Sequence, residues 1–158
     1  PKKFPYPIFG NCLPQIDVFD EDDYTKEELK MVNETRKILH NDNMRITATT
    51  VRVPVFHGHS ESINVEFEKE YDLDDLKKTL AAFPGLIVMD EVKKGEGKGV
   101  YPMATDIAGK DEVYVGRIRR DRSVDSGVNL WVVADNIRKG AATNAVQIAQ
   151  KWMEMQEQ

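Results

Sequence analysis

Apolar residues recur at helical spacing in three stretches of the sequence. The first stretch begins with Thr25-Lys26-Glu27-Glu28, which has the form of a capping box. In this motif the hydroxyl and the carboxylate each accept a hydrogen bond from a free backbone amide of the first turn. The second stretch is followed by Pro84-Gly85, a pair that ends helices. The pattern predicts helices over residues 25–39, 72–83 and 139–156.

A second pattern, rich in β-branched and aromatic residues, predicts five strands. The strongest candidate is 45–56, where Pro54 favours an edge, a bulge or a strand end. The others are 62–68, which alternates apolar with polar residues, 86–89, 113–119 and 128–134. The proline-rich opening as far as Pro14 and the glycine-rich stretch around residues 95–99 predict loops. The order of elements indicates an α+β fold, a mixed and largely antiparallel sheet with helices on one face.

Composition narrows the class of protein. The chain has 158 residues, the size of one domain, and a net charge of −5 that argues against nucleic acid as a partner. The single cysteine, Cys12, excludes an internal disulfide and favours a reducing compartment, here the cytoplasm. No apolar run approaches the roughly 20 residues of a membrane span. Because the chain begins at Pro1 without a methionine, we expect it to be a piece of a longer protein.

The segment from Arg52 to Glu61 is the strongest candidate for chemistry. An arginine near the end of an apolar stretch precedes the turn His57-Gly58-His59. Arginine offers a planar fork of donors to a carboxylate, and histidine exchanges protons near neutral pH. The alternative is a surface arginine followed by a polar turn. A metal site is not predicted, because no third ligand is suitably spaced from the two histidines.

Two further features are weaker on their own. Glu27 and Lys30 are three residues apart on one side of the first helix, where spacing alone favours a solvated ion pair. The run 135–142, Asp-Asn-Ile-Arg-Lys-Gly-Ala-Ala, lies where a strand meets the last helix. Small residues let a ligand or another backbone approach there, and a helix start can hold an anion or an amide. Such a junction needs small residues in any case.

Four motifs in order resemble the C-terminal domain of aspartate-semialdehyde dehydrogenases. They are NCLPQID at 11–17, YTKEELKMVNET at 24–35, the segment from TATTVRVPV at 47–55 through HSE at 59–61, and DNIRKGAA at 135–142. The resemblance covers nearly the whole chain, and residues 93–106 are its least distinctive part. It implies a fold similar to the C-terminal domain of glyceraldehyde-3-phosphate-dehydrogenase-like enzymes.

The resemblance also implies a reaction, the NADPH-dependent reductive dephosphorylation of L-aspartyl-4-phosphate to L-aspartate 4-semialdehyde in lysine, threonine and methionine biosynthesis. By match to the family motifs, His59 would be the acid/base and Arg52 would bind the substrate carboxylate. Glu27 would face the substrate amino group and Lys30 the phosphate. Asn136 would contact the nicotinamide end of NADP.

The sequence departs from the family pattern at two points. The family's nucleophilic cysteine lies in an earlier Asn-Cys motif that would precede Pro1, whereas the neighbours of Cys12 match a later segment. We therefore expect Cys12 to be a small buried residue. The Gly-rich dinucleotide fingerprint is also missing. The resemblance thus predicts an inactive fragment whose partners are its own N-terminal domain, which would cover the last helix, and further copies in a homodimer or homotetramer.

Three alternatives remain at this point. The chain could belong to N-acetyl-glutamyl-phosphate reductases or to an acyl-CoA reductase of similar build, although the Glu27–Lys30 spacing and the segment from Arg52 to His59 favour the aspartyl enzyme. It could also be a non-catalytic oligomerisation module of the same fold. Arg52 and His59 argue against such a module, because a pure interaction domain needs neither residue.

Overall fold

The computed structural model describes residues 3–92, 95 and 97–157. The chain divides into two compact units, Pro1–Val55 and Phe56–Gln158. Each unit has its own local architecture and contains different residues of the predicted site.

The first unit is built around helix α1, Lys26–Leu39. The predicted capping box is present at its start, with Thr25 as the N-cap. His40 ends the helix in the left-handed conformation, at φ 50°. The predicted helix over 25–39 is therefore confirmed at both ends. The described part of the proline-rich opening forms no helix or extended ladder, as predicted.

The predicted strand over 45–56 is wrong. The backbone there is irregular, and its single ladder contact is an isolated antiparallel bridge between Arg52 and Leu13. Residues with high β propensity form a strand only where a partner strand supplies a ladder and a packed face. The described part of the first unit contains no such partner strand.

The second unit contains a four-stranded sheet, whose strands are β1 His59–Glu66, β2 Leu86–Val88, β5 Val113–Asp121 and β6 Gly127–Ala134. Their order across the sheet is β1-β6-β5-β2. Strand β6 is antiparallel to β1 and β5, whereas β2 is parallel to β5. The mixed, largely antiparallel sheet is thus confirmed, and the bounds of the other four predicted strands differ from the observed ones by at most three residues at either end.

Alternating side chains of the central strands fill a core on each face of the sheet. On one face Val115, Ile118 and Val128 pack with apolar residues of helix α2, Leu73–Ala82. The predicted helix over 72–83 is confirmed, with Asp72 and Phe83 as its caps. On the other face Tyr114 and Val133 pack with Ile107.

Ile107 belongs to a short helix, α3 (Ala104–Ile107), that the sequence pattern did not predict. The helix begins inside the segment 93–106, the part of the chain that least resembles the family, and ends one residue after it. A small two-stranded ladder forms just before the helix. That ladder pairs β3, Glu91–Val92, with β4, Gly99–Val100. Residues 93, 94 and 96 of the predicted glycine-rich loop lie outside the described residues.

The C-terminal tail is helical, as predicted for 139–156. A π-helical turn, Arg138–Ala142, leads into α4, Thr143–Gln156. The predicted apolar stripe of α4 is exposed, with 62% of Ile148 and 63% of Trp152 open to solvent. Among the described residues, no helix has the length and apolar character needed to cross a membrane.

Candidate functional site

Glu27 and Lys30 lie in the first two turns of α1, on the same side of the helix. The Lys30 Nζ is 3.6 Å from the Glu27 Oε1, and 54% and 36% of the Lys30 and Glu27 side chains are exposed. An exposed pair at this distance contributes about 0–1 kcal/mol. Each group can therefore exchange its partner for a ligand at small cost.

Between these two residues, Glu28 is buried and holds the start of the helix. Its Oε2 accepts a hydrogen bond from the Thr25 N–H at 2.8 Å, and its Oε1 accepts one from the Thr50 N–H at 2.8 Å. The Thr25 and Thr50 hydroxyls are 3.4 Å apart. The backbone amides of Thr25 and Thr50 lower the pKa of Glu28, outweighing the effect of burial. The carboxylate is therefore held ionised.

Arg52 follows Thr50 by two residues, and its backbone is fixed to Leu13. The Leu13 N–H donates to the Arg52 carbonyl and the Arg52 N–H donates to the Leu13 carbonyl, both at 2.8 Å. The guanidinium carbon lies 5.5 Å from the centre of the Phe4 ring. A guanidinium over an aromatic ring is oriented while its edge N–H groups stay available. The geometry suits a residue that binds a carboxylate.

In the second unit, His59 is the first residue of β1 and pairs with Ala134, the last residue of β6. Its side chain is exposed. Gly58, which precedes it, has φ +86° and donates its N–H to the Asn136 Oδ1 at 3.1 Å. A Cβ at position 58 would lie 3.1 Å from the Ala134 carbonyl oxygen. Glycine is thus required where the chain turns to present the imidazole.

The backbone that follows Asn136 is held by the buried carboxylate of Asp135. The Asp135 Oδ2 accepts from the Gly109 N–H at 2.8 Å, and its Oδ1 accepts from the N–H groups of Ile137 and Arg138. The hydrogen bond from the Gly109 N–H, together with those from Arg138 and Ile137, lowers the pKa of Asp135 although burial acts to raise it. Sequence reasoning missed this role. A carboxylate between a buried strand and a helix start was the available signal.

The predicted site residues therefore fall into two groups. Glu27, Lys30 and Arg52 belong to the first unit, and His59 and Asn136 belong to the second. In the first unit the structure brings Glu27 next to Lys30, and in the second it ties the turn before His59 to Asn136.

Cys12 is exposed, so the expectation of a small buried residue is wrong. The pattern could not reveal this, because burial of a loop residue depends on what packs over it. His57 is also exposed. Among the described residues, no three His, Cys, Asp or Glu side chains converge in a way that could hold a metal ion.

Comparison with known proteins identifies the family. The model of the semialdehyde dehydrogenase dimerisation domain matches residues 1–139. The chain belongs to this family. A relative from Aquifex aeolicus, named aspartate-semialdehyde dehydrogenase, is 57% identical over 149 residues, which cover 94% of this chain and 43% of the relative. The chain thus spans less than half the length of the curated relatives it matches.

Solved structures of semialdehyde dehydrogenases have the same fold. Aspartate semialdehyde dehydrogenase II from Vibrio cholerae, complexed with ASA, is 47% identical with a TM-score of 0.86, over 93% of this chain and 42% of the other. The enzyme from Candida albicans with NADP is 25% identical with a TM-score of 0.59, over 82% of this chain and 40% of the other. These structures confirm the α+β class that the order of elements predicted.

Proposed function

We propose that this chain is the substrate-binding and dimerisation part of an aspartate-semialdehyde dehydrogenase. The full-length protein would convert L-aspartyl-4-phosphate, NADPH and a proton into L-aspartate 4-semialdehyde, NADP and phosphate, in lysine, threonine and methionine biosynthesis. The observation that carries the proposal is the 57% identity to an aspartate-semialdehyde dehydrogenase over 94% of the chain. A cysteine elsewhere in the full-length protein would supply the nucleophile, so the 158 residues alone would be inactive.

His59 is the proposed acid/base. The strand pairing with Ala134 and the Gly58–Asn136 hydrogen bond hold its backbone, while its imidazole is exposed. A fixed and exposed imidazole can accept the thiol proton during attack on the acyl phosphate. It can then give that proton to the oxygen of the phosphate that leaves as the tetrahedral intermediate collapses to the thioester. Both transfers require the ring to stay in place through the reaction, which the constrained turn favours.

Arg52, Glu27 and Lys30 are the proposed substrate ligands. The Arg52 guanidinium pairs with the α-carboxylate through two parallel hydrogen bonds. The Glu27 carboxylate pairs with the α-ammonium, and the Lys30 ammonium pairs with the phosphate. The loose 3.6 Å contact between Glu27 and Lys30 keeps both charges compensated until substrate displaces it.

The residues present also fit a contact with the nicotinamide end of NADP. The Asn136 side-chain oxygen is occupied by Gly58. Its amide NH2 donates to no acceptor within the described part of the chain and can bind a carboxamide oxygen. NADP supplies the hydride carrier of the reaction when bound. Because the sequence has no Gly-rich fingerprint, we assign most of the cofactor contacts to the N-terminal domain of the full-length protein.

The proposed partners are a second copy of the chain, in a homodimer or homotetramer, and the N-terminal domain. The exposed apolar stripe of α4, with Ile148 and Trp152, is the proposed contact for that domain. Neither nucleic acid nor a membrane is a proposed partner. The metabolic role and the free cysteine fit the cytoplasm.

The test is an assay of the full-length protein in the oxidative direction with NADP and phosphate. Aspartate semialdehyde and N-acetylglutamate semialdehyde are compared as substrates. Because Glu27 recognises an ammonium that the acetyl group removes, kcat/KM should be about 100-fold or more higher for aspartate semialdehyde. Glu27→Gln should narrow that ratio. A preference for the acetylated substrate would assign the chain to the related reductases, and no turnover with either would support a non-catalytic module.

A further inference from the structure

Glu28 is a buried carboxylate for which the proposed mechanism has no role. Only 7% of the residue is exposed, and the threonines it contacts are similarly buried, Thr25 at 1% and Thr50 at 8%. Each carboxylate oxygen accepts one backbone N–H at 2.8 Å. Burying an ionised carboxylate is costly unless such bonds compensate it, so a glutamate here calls for a reason.

Helix capping alone does not account for this arrangement. The capping box is complete with the bond between the Glu28 Oε2 and the Thr25 N–H, together with the bond from the Glu28 N–H to the Thr25 hydroxyl. The bond to Thr50 reaches a segment 22 residues further along the chain. Asp72, which caps α2, shows the contrast, since within the described residues its carboxylate accepts from Asp74 and Asp75 of its own helix and from no distant segment.

The second oxygen connects the two parts of the first unit that carry proposed substrate ligands. Glu28 itself lies between Glu27 and Lys30 in the sequence. Thr50 lies two residues before Arg52, whose backbone is fixed on the Leu13 side by two hydrogen bonds. One carboxylate therefore joins the first turns of α1 to the segment that carries the guanidinium.

We propose that Glu28 is a positioning residue, whose carboxylate sets the distance between the Glu27–Lys30 pair and Arg52. This inference rests on the proposed function, because only a substrate with both an amino-acid head and a phosphate needs all three ligands at a fixed spacing. Displacing one ligand by about 1 Å is enough to cost a large factor in the productive binding of such a substrate.

The experiment measures steady-state kinetics of the full-length enzyme with aspartate semialdehyde, phosphate and NADP. Glu28→Gln keeps the volume but replaces one acceptor oxygen with an NH2 that faces a backbone N–H. Glu28→Asp keeps the charge but is too short to reach both amides, and it carries the test if Glu28→Gln does not fold. Asp72→Ala is the matched control, because it removes a helix-capping carboxylate from α2, where no ligand is proposed.

For either Glu28 variant, KM for aspartate semialdehyde and for phosphate should rise about 5- to 30-fold, with KM for NADP and kcat within about twofold of wild type. Asp72→Ala should leave every KM unchanged. If the Glu28 variants lower the fraction of active enzyme but leave every KM unchanged, as Asp72→Ala does, then Glu28 is only a helix cap. The inference then fails, while the proposed function stands. If the wild-type enzyme does not turn over aspartate semialdehyde, the proposed function fails and the inference fails with it.

Discussion

Replacement of Gly58 by alanine tests whether the turn before His59 is as constrained as the structure indicates. Gly58 has φ +86°, and a Cβ there would meet the Ala134 carbonyl oxygen at 3.1 Å and the Ile107 Cδ1 at 3.7 Å. The oxygen belongs to backbone at the end of β6 and cannot move aside without disturbing the pairing of His59 with Ala134. The Gly58 N–H bond to Asn136 would be displaced as well.

Comparison with Gly85→Ala separates the backbone strain from the other contributions to the loss of stability. Gly85 has φ +77°, and a Cβ added there would have nothing within 4 Å, so alanine at this position adds only backbone strain. That strain is about 1–2 kcal/mol, of which about 0.4–1 kcal/mol is offset in the unfolded chain. Gly58→Ala adds about 1 kcal/mol for the tight contact and about 1 kcal/mol for the hydrogen bond to Asn136. We therefore expect Gly58→Ala to lower the free energy of unfolding by about 2 kcal/mol more than Gly85→Ala does.

Urea unfolding followed by tryptophan fluorescence measures the difference, because Trp131 lies in β6 close to Ala134. In the full-length enzyme, Gly58→Ala should also lower kcat by about 10- to 100-fold through displacement of the imidazole, while Gly85→Ala should not. Equal destabilisation of the two variants, within about 0.5 kcal/mol, would refute the reasoning. So would a Gly58→Ala enzyme with wild-type kcat.

Four further expectations follow from the site and its surroundings. In the full-length enzyme, His59→Asn should lower kcat about 10²- to 10⁴-fold with little change in KM; a smaller effect would remove His59 as the acid/base. Arg52→Lys should mainly raise KM for the semialdehyde, because a point charge cannot replace the fork, and unchanged kinetics would exclude Arg52 from the site. The pKa of Glu28 is lower in the folded state, so its stabilisation is complete above the unfolded pKa of about 4.3 and is lost as pH falls through the lowered value. Glu28→Gln should therefore flatten the acid limb of a urea-midpoint profile, and an unchanged limb would contradict this. The 158-residue chain should self-associate in sedimentation velocity, as a dimerisation domain with an exposed apolar helix face; a strict monomer at high concentration would count against subunit pairing.

Local signals in the sequence were sufficient for the elements whose determinants lie within a few residues. The capping box at Thr25 and Glu28 and the stop at Pro84-Gly85 gave the helices, because caps act within one turn. Alternation over 62–68 predicted the edge strand β1, because Ile63 and Val65 on one face are half-buried and the residues between them are exposed. The four motifs, taken in order, predicted the family correctly, because membership of a family is recognised from the residue types at successive positions.

The contacts that organise the candidate site were decided by tertiary structure. The segment 45–56 has the composition of a strand but lacks a partner in the described part of its unit, and Cys12 is exposed because nothing described in its unit covers it. Glu28 accepts a hydrogen bond from Thr50, 22 residues away in the sequence, and Asn136 accepts one from Gly58, 78 residues away. No local pattern encodes which distant amide a carboxylate or carboxamide will accept from, because that choice depends on how the chain packs. The sequence therefore determined the local elements and the chemical groups available, and folding determined which groups are held in place.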